Sequence, residues 1–115
     1  MGSNVMLFGW NRSIPGREEE SGNHFDEFNG YLTALSEGDA IDNYQVIFLD
    51  NHGGDLNGFF LIYASNEKLD ALCANEQWSR HVMRASLHLL NFGVVRGVAN
   101  EAVMGRMELW NEMKP

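Results

Sequence analysis

The chain is poor in cysteine, with Cys73 alone, poor in proline, with Pro15 and Pro115, and poor in positive charge, with eight basic residues against sixteen acidic. A single thiol cannot close an internal disulfide, which excludes a cross-linked mini-protein framework. A net charge of −8 repels phosphate backbones, so nucleic acid is not an expected partner. No apolar run approaches the roughly 18 to 20 residues that span a bilayer, so no membrane partner is expected either. The opening MGSNVMLFGW has no basic region before its apolar stretch, and Met6 stands where a myristoylation signal needs Ser or Thr. These absences lead to the expectation of a reduced, cytoplasmic protein. There is no internal repeat, no phosphate-binding loop, no Ser-His-Asp order and no basic aromatic strip.

What is present is enough apolar material, 44% of 115 residues, for one core, and a single domain over 1–115 is expected. NVMLFGW (4–10) reads as a strand that ends in the loop signal Pro15-Gly16. From 17 to 37 the apolar residues Phe25, Phe28, Tyr31, Leu32 and Leu35 recur at three and four, a stripe on one helix, with Glu18 to Glu20 at its positive end and Gly38 as its stop. YQVIFLD (44–50) and GFFLIYA (58–64) are strands that are apolar on both faces. The stretch 66–93 reads as a helix capped by Asn66, broken near Asn75 and ended by Gly93, with Trp78, Val82, Ala85 and Leu89 on its buried line and His81 and His88 flanking it. VVRGVA (94–99) is a fourth strand, and 101–113 a closing helix.

This order is α+β, a ferredoxin-like βαββαβ with a four-stranded antiparallel sheet and an extra C-terminal helix. Helices cover one face of such a sheet, yet Tyr44, Val46, Phe48 and Phe59 to Ile62 leave no polar face. A second copy is the simplest cover, which predicts a homodimer joined through sheet faces, with the last helix reaching across.

The element order, the hairpin ending in GFFLIYAS and the helix SNEKLDALCANEQWSRHVMRA resemble the dimeric α+β barrel superfamily of small monooxygenase-like, EthD-like and YCII-like domains. The resemblance runs from Val5 to Ala99. It implies a pocket in each subunit between sheet and helices, used for cofactor-free oxygenation, isomerisation or decarboxylation, or for binding apolar molecules. The sequence carries no diagnostic catalytic motif of that superfamily.

Between the two central strands, NHGGDLNG offers His52 and Asp55 as candidate catalytic residues. If Gly53-Gly54 forms a two-residue primed turn, the two side chains stand opposite each other, and the carboxylate can orient the imidazole as a base. The same residues are ordinary turn residues, and that plainer reading is preferred. Trp10 and Arg12, at the end of the first strand, suit a ligand with a carboxylate or enolate; the alternative is that Trp10 closes the core and Arg12 pairs with the acidic surface. The candidate pocket is lined by Phe8, Trp10, Phe48, Phe60 and Leu61, with Arg12, Asn57 and His81 as polar contacts. A hydrogen-bonded structural role is the simpler reading of His81. His24, one turn before Glu27, reads as part of a solvated edge. His24, His52, His81, His88 and Asp55 show no paired metal spacing, so no metal and no cofactor are expected. Three functions follow: a binder of a small fatty-acid-like or aromatic molecule, a cofactor-independent monooxygenase or isomerase with a histidine base, or a ligand-free dimerisation domain.

Overall fold

The computed structural model describes residues 4–115; Gly2, the residue a myristoyl group would modify, lies outside them. Ten elements follow in order: β1 Asn4–Trp10, β2 Arg12–Ser13, α1 Glu18–Glu37, β3 Asn43–Phe48, β4 Gly58–Tyr63, α2 Asn66–Cys73, α3 Glu76–His88, β5 Leu89–Leu90, β6 Gly93–Val98 and α4 Ala102–Met113. The main sheet has the order β3-β4-β1-β6, antiparallel at every pairing, which is the ferredoxin-like arrangement.

Alternation along the strands divides the sheet into two faces. Met6 pairs with Ile62, and Phe8 with Phe60 and Val94; the four larger ones among them are buried beneath the helices. Phe8 is the centre of this core, with Phe28 stacked at 4.3 Å and Phe92 edge-on at 4.6 Å. α1 contributes His24, Phe28 and Leu32, one residue per turn on one line, and α3 contributes Trp78, Ala85 and His88. Among the described residues no helix covers the opposite face, which presents Leu7, Phe59, Leu61 and Val95, the last 60% exposed.

The local signals differ from their sequence reading at two places, the cap of α2 and the end of α3, and the expected break between them is borne out. Ser65 caps α2 in place of Asn66, its hydroxyl accepting from the Lys68 N–H at 3.2 Å. The break at Asn75 is complete, because its side chain accepts from the N–H groups of Gln77 and Trp78 and starts α3 as a separate helix. α3 then stops at His88, five residues before Gly93, because Leu89 and Leu90 turn extended to pair with Ser13 and Arg12.

The expected two-residue turn at Gly53-Gly54 does not form. The last pair of the β3–β4 ladder is Phe48 with Gly58, which leaves a nine-residue loop, 49–57. Asn57 holds it to the sheet: its N–H donates to the Trp10 carbonyl at 2.9 Å and its side chain to Asn11 at 2.6 Å. Gly53 supplies the positive φ of 82° that the loop requires.

Candidate functional site

A cavity of about 240 Å³ lies where α1 and the α3–β5 junction cross the sheet end, walled by Phe8, Trp10, Phe25, Phe28, Phe48 and Phe60. Apart from the Trp10 indole, its polar side chains are Ser21, His24 and His88, joined by hydrogen bonds along one edge with Gly22 and Leu89 beside them. The aromatic walls support one another: Phe25 lies 5.2 Å from Phe60 and 5.6 Å from Phe48, and Trp10 lies 5.8 Å from Phe60. Gly58 makes room for the indole, since a Cβ there would meet the Trp10 ring at 2.7 Å.

The polar edge is a chain of hydrogen bonds. Ser21 Oγ is 2.7 Å from His88 Nδ1, His88 Nε2 is 2.7 Å from His24 Nδ1, and His24 Nε2 is 3.0 Å from His81 Nδ1. Ser13 Oγ joins Ser21 Oγ at 2.8 Å. The small β2–β5 sheet makes this possible, because Ile14 donates its N–H to the His88 carbonyl and holds the 11–14 segment against the end of α3. A neutral imidazole has one N–H and one lone pair. His24 uses both nitrogens, so it must donate to one neighbour and accept from the other, and the bonds run in one sense along the whole chain.

His24 and His88 are each 2% exposed, and His81 is partly exposed. Burial disfavours the charged form of all three. It holds His24 at about 4, well below the ordinary 6.5, assisted by the Arg84 guanidinium and the other two rings and opposed by Glu27. Burial likewise lowers His81 and His88, with Arg84 adding in the same direction and with Glu27 and Glu20 respectively opposing. The chain is therefore neutral at pH 7. The rings bond one another instead of converging, and among the described residues no cluster of three or more His, Cys, Asp or Glu side chains is arranged to hold a metal.

Of the sequence candidates, Phe8, Trp10, Phe48 and Phe60 line the cavity. Leu61 points to the helix-free face, Arg12 is exposed on β2, and Asn57 anchors the loop. His81 is the outer end of the histidine chain. His52 and Asp55 lie on the exposed 49–57 loop: the His52 ring donates to the Asp50 carbonyl at 2.9 Å and lies over Gly54, while Asp55 borders a shallow depression on the helix-free face. The structure does not bring this pair together or to the cavity.

His24 is buried where a solvated edge was expected, because it stands four residues before Phe28 and eight before Leu32 on the same stripe. His88 is likewise inside, since α3 ends there and β5 closes over it. Their spacing from Phe28 and Ala85 was the available signal. The part played by Ser13 and Ser21 had none.

The architecture defines a ferredoxin-like α+β domain. Solved structures share it: a dimeric protein of unknown function with a ferredoxin-like fold from Bacteroides fragilis has a TM-score of 0.62 at 12% identity, over 86% of this chain and 98% of that one. A dimeric ferredoxin-like protein of unknown function from Jannaschia sp. CCS1 has the same score and identity, over 86% and 99%. A third, from Thermobifida fusca, has 0.55 at 13%, over 86% and 93%. No protein-family model matches the chain, and no curated protein matches it.

Proposed function

We propose that this single-domain protein is a homodimer whose subunits each bind a small, mainly apolar molecule in the aromatic cavity. The observation that carries the reading is the segregation of the cavity, six aromatic walls with Ser21, His88 and His24 hydrogen-bonded along one edge. That pattern orients a ligand with one polar end. A dry cavity of about 150 Å³ accepts benzene, so one of about 240 Å³ suits a ring with one or two substituents better than a long acyl chain. The dimer is supported by the uncovered apolar sheet face, by an α4 with no buried residue, and by the dimeric state of the similarly folded proteins. An exposed free Cys73 fits a reducing, cytoplasmic setting.

A second reading, the cofactor-independent enzyme with a histidine base, is favoured by one specific observation: a hydrogen-bonded serine and imidazole stand at the cavity wall. In this reading the base role falls to the His24–His88 pair in place of His52 and Asp55.

Gly22 provides the test. It borders the cavity, and a Cβ built on it meets nothing within 4 Å. Gly22→Leu in α1 should fill the cavity mouth and leave stability equal or higher, since glycine costs a helix roughly 1 kcal/mol. Native mass spectrometry of the wild type should show a dimer that takes up 2-naphthol, and the variant should lose at least about tenfold in affinity. Equal uptake by both would overturn the cavity as the binding site.

A further inference from the structure

We propose that Ser21, His88, His24 and His81 form a proton path from the cavity to the outer surface of α3, and that the ligand it serves carries an acidic hydroxyl of the phenol or enol type. The proposal rests on the cavity being a ligand site and adds what its polar edge does.

The geometry contains each part such a path requires. Ser21, His88 and His24 border the cavity, the two rings are otherwise buried, and His81, outside the cavity lining, is partly exposed where the Arg84–Glu27 ion pair joins α3 to α1. The three bonds from Ser21 to His81 measure 2.7, 2.7 and 3.0 Å, with no gap. Both senses of the chain can be satisfied. In one, Ser13 donates to Ser21, Ser21 donates to His88 Nδ1, and all three rings carry their proton on Nε2. In the other, all three carry it on Nδ1, His88 donates to Ser21, and Ser13 turns its hydroxyl to the carbonyls of Ile14 or His88, 3.3 and 3.4 Å away. Ser13 thus terminates either arrangement.

A proton crosses by converting the first arrangement into the second. The ligand hydroxyl gives its proton to Ser21 Oγ as the serine's own proton passes to His88 Nδ1. His88 then gives the Nε2 proton to His24 Nδ1, His24 gives its Nε2 proton to His81 Nδ1, and His81 releases its Nε2 proton to water. The bonding pair of the ligand O–H stays on the ligand as an oxyanion, which accepts a hydrogen bond from the new Ser21 hydroxyl, and one hydronium leaves at the surface. Each ring ends neutral, so no buried imidazolium forms next to Arg84. A lone histidine base in the same place would have to carry that charge.

Protein labelled with ¹⁵N on the histidine rings reports each tautomer directly. In the free protein each of the three rings should hold one ordered tautomer, and Ser21→Ala, a small change at the cavity end, should alter the tautomer ratio of His81 three hydrogen bonds away. An unchanged His81 would overturn the path whatever the ligand result. Addition of 4-nitrophenol, below its own pKa, should produce bound nitrophenolate absorbance and exchange the Nδ1 and Nε2 signals of His81. In His24→Phe, which interrupts the chain between His88 and His81, bound 4-nitrophenol should leave the His81 signals where they stand in the free variant. Binding with an unresponsive His81 in the wild type would also overturn the path, whereas no change at Trp10 or the other cavity walls would instead overturn the cavity reading, leaving the Ser21→Ala result to decide the path.

Discussion

His24 makes folding dependent on pH through its burial. Above about 6.5, the ordinary imidazole value, the ring is neutral in both folded and unfolded chains and stability does not depend on it. As pH falls through 6.5 the unfolded chain takes up a proton that the folded one, with His24 at about 4, refuses. Stability is therefore lost between about pH 6.5 and 4, by roughly 3 kcal/mol for this ring alone. His81 and His88 are lowered too and add in the same direction. The surrounding charges, Arg84 and Arg17 against Glu20 and Glu27, set the balance. Urea midpoints at pH 7.5 and 5 should differ accordingly, and His24→Phe should flatten the difference; an equal slope in the variant would remove His24 as its origin. Gly58 gives a second residue-level expectation. The extra methyl of Gly58→Ala has nowhere to go unless Trp10 leaves its place, so the variant should lose about 1 to 3 kcal/mol and shift the Trp10 fluorescence. A silent substitution would show that the indole is not fixed.

Regular elements were legible because their apolar period has a single explanation. The Phe25, Phe28, Leu32 and Leu35 spacing admits only a helix, and the ends of β1 and β4 lie within one residue of the apolar runs that predict them. The hairpin connection was not, since Gly53-Gly54 is compatible with a two-residue turn and the outcome depends on Asn57 reaching Trp10 and Asn11, contacts between residues 46 and 47 positions apart. The cavity was half legible. Four of its aromatic walls, Phe8, Trp10, Phe48 and Phe60, come from the strands and were among the sequence candidates, while Phe25 and Phe28 come from α1 and the polar edge draws on the 11–14 segment, α1 and the end of α3, elements that nothing local brings together. Asn75 shows how much one legible signal supports. Its side chain caps α3, the helix that carries both His81 and His88. Asn75→Ala should cost about 1 kcal/mol in thermal or urea unfolding and leave 2-naphthol uptake unchanged, while Asn75→Asp should restore stability. A loss of uptake at unchanged stability would tie the cap to the site instead.

The whole molecule is wider than its core explains. A compact chain of this length has a radius of gyration of about 13 Å, yet this one has 15.5 Å, with extents of 49 × 37 × 22 Å. α4 accounts for much of the excess, with no buried residue and with Met104, Met107, Leu109, Trp110 and Met113 between 47% and 76% exposed. An apolar helix held in water and an apolar sheet face left uncovered are two costs that one association can offset, through roughly 25 cal/mol per Å² buried. Opposing it is charge, since two copies at −8 each repel wherever their acidic surfaces approach. Salt screens that repulsion and leaves apolar contact in place. Dimerisation should therefore strengthen as ionic strength rises, the reverse of an interface built on ion pairs. Sedimentation equilibrium between low and moderate salt reads the sign directly. Leu61→Lys on the sheet face and Trp110→Asp on α4 should each shift the balance towards monomer, and a wild type that remains monomeric across the series would remove the partner from the fold's explanation.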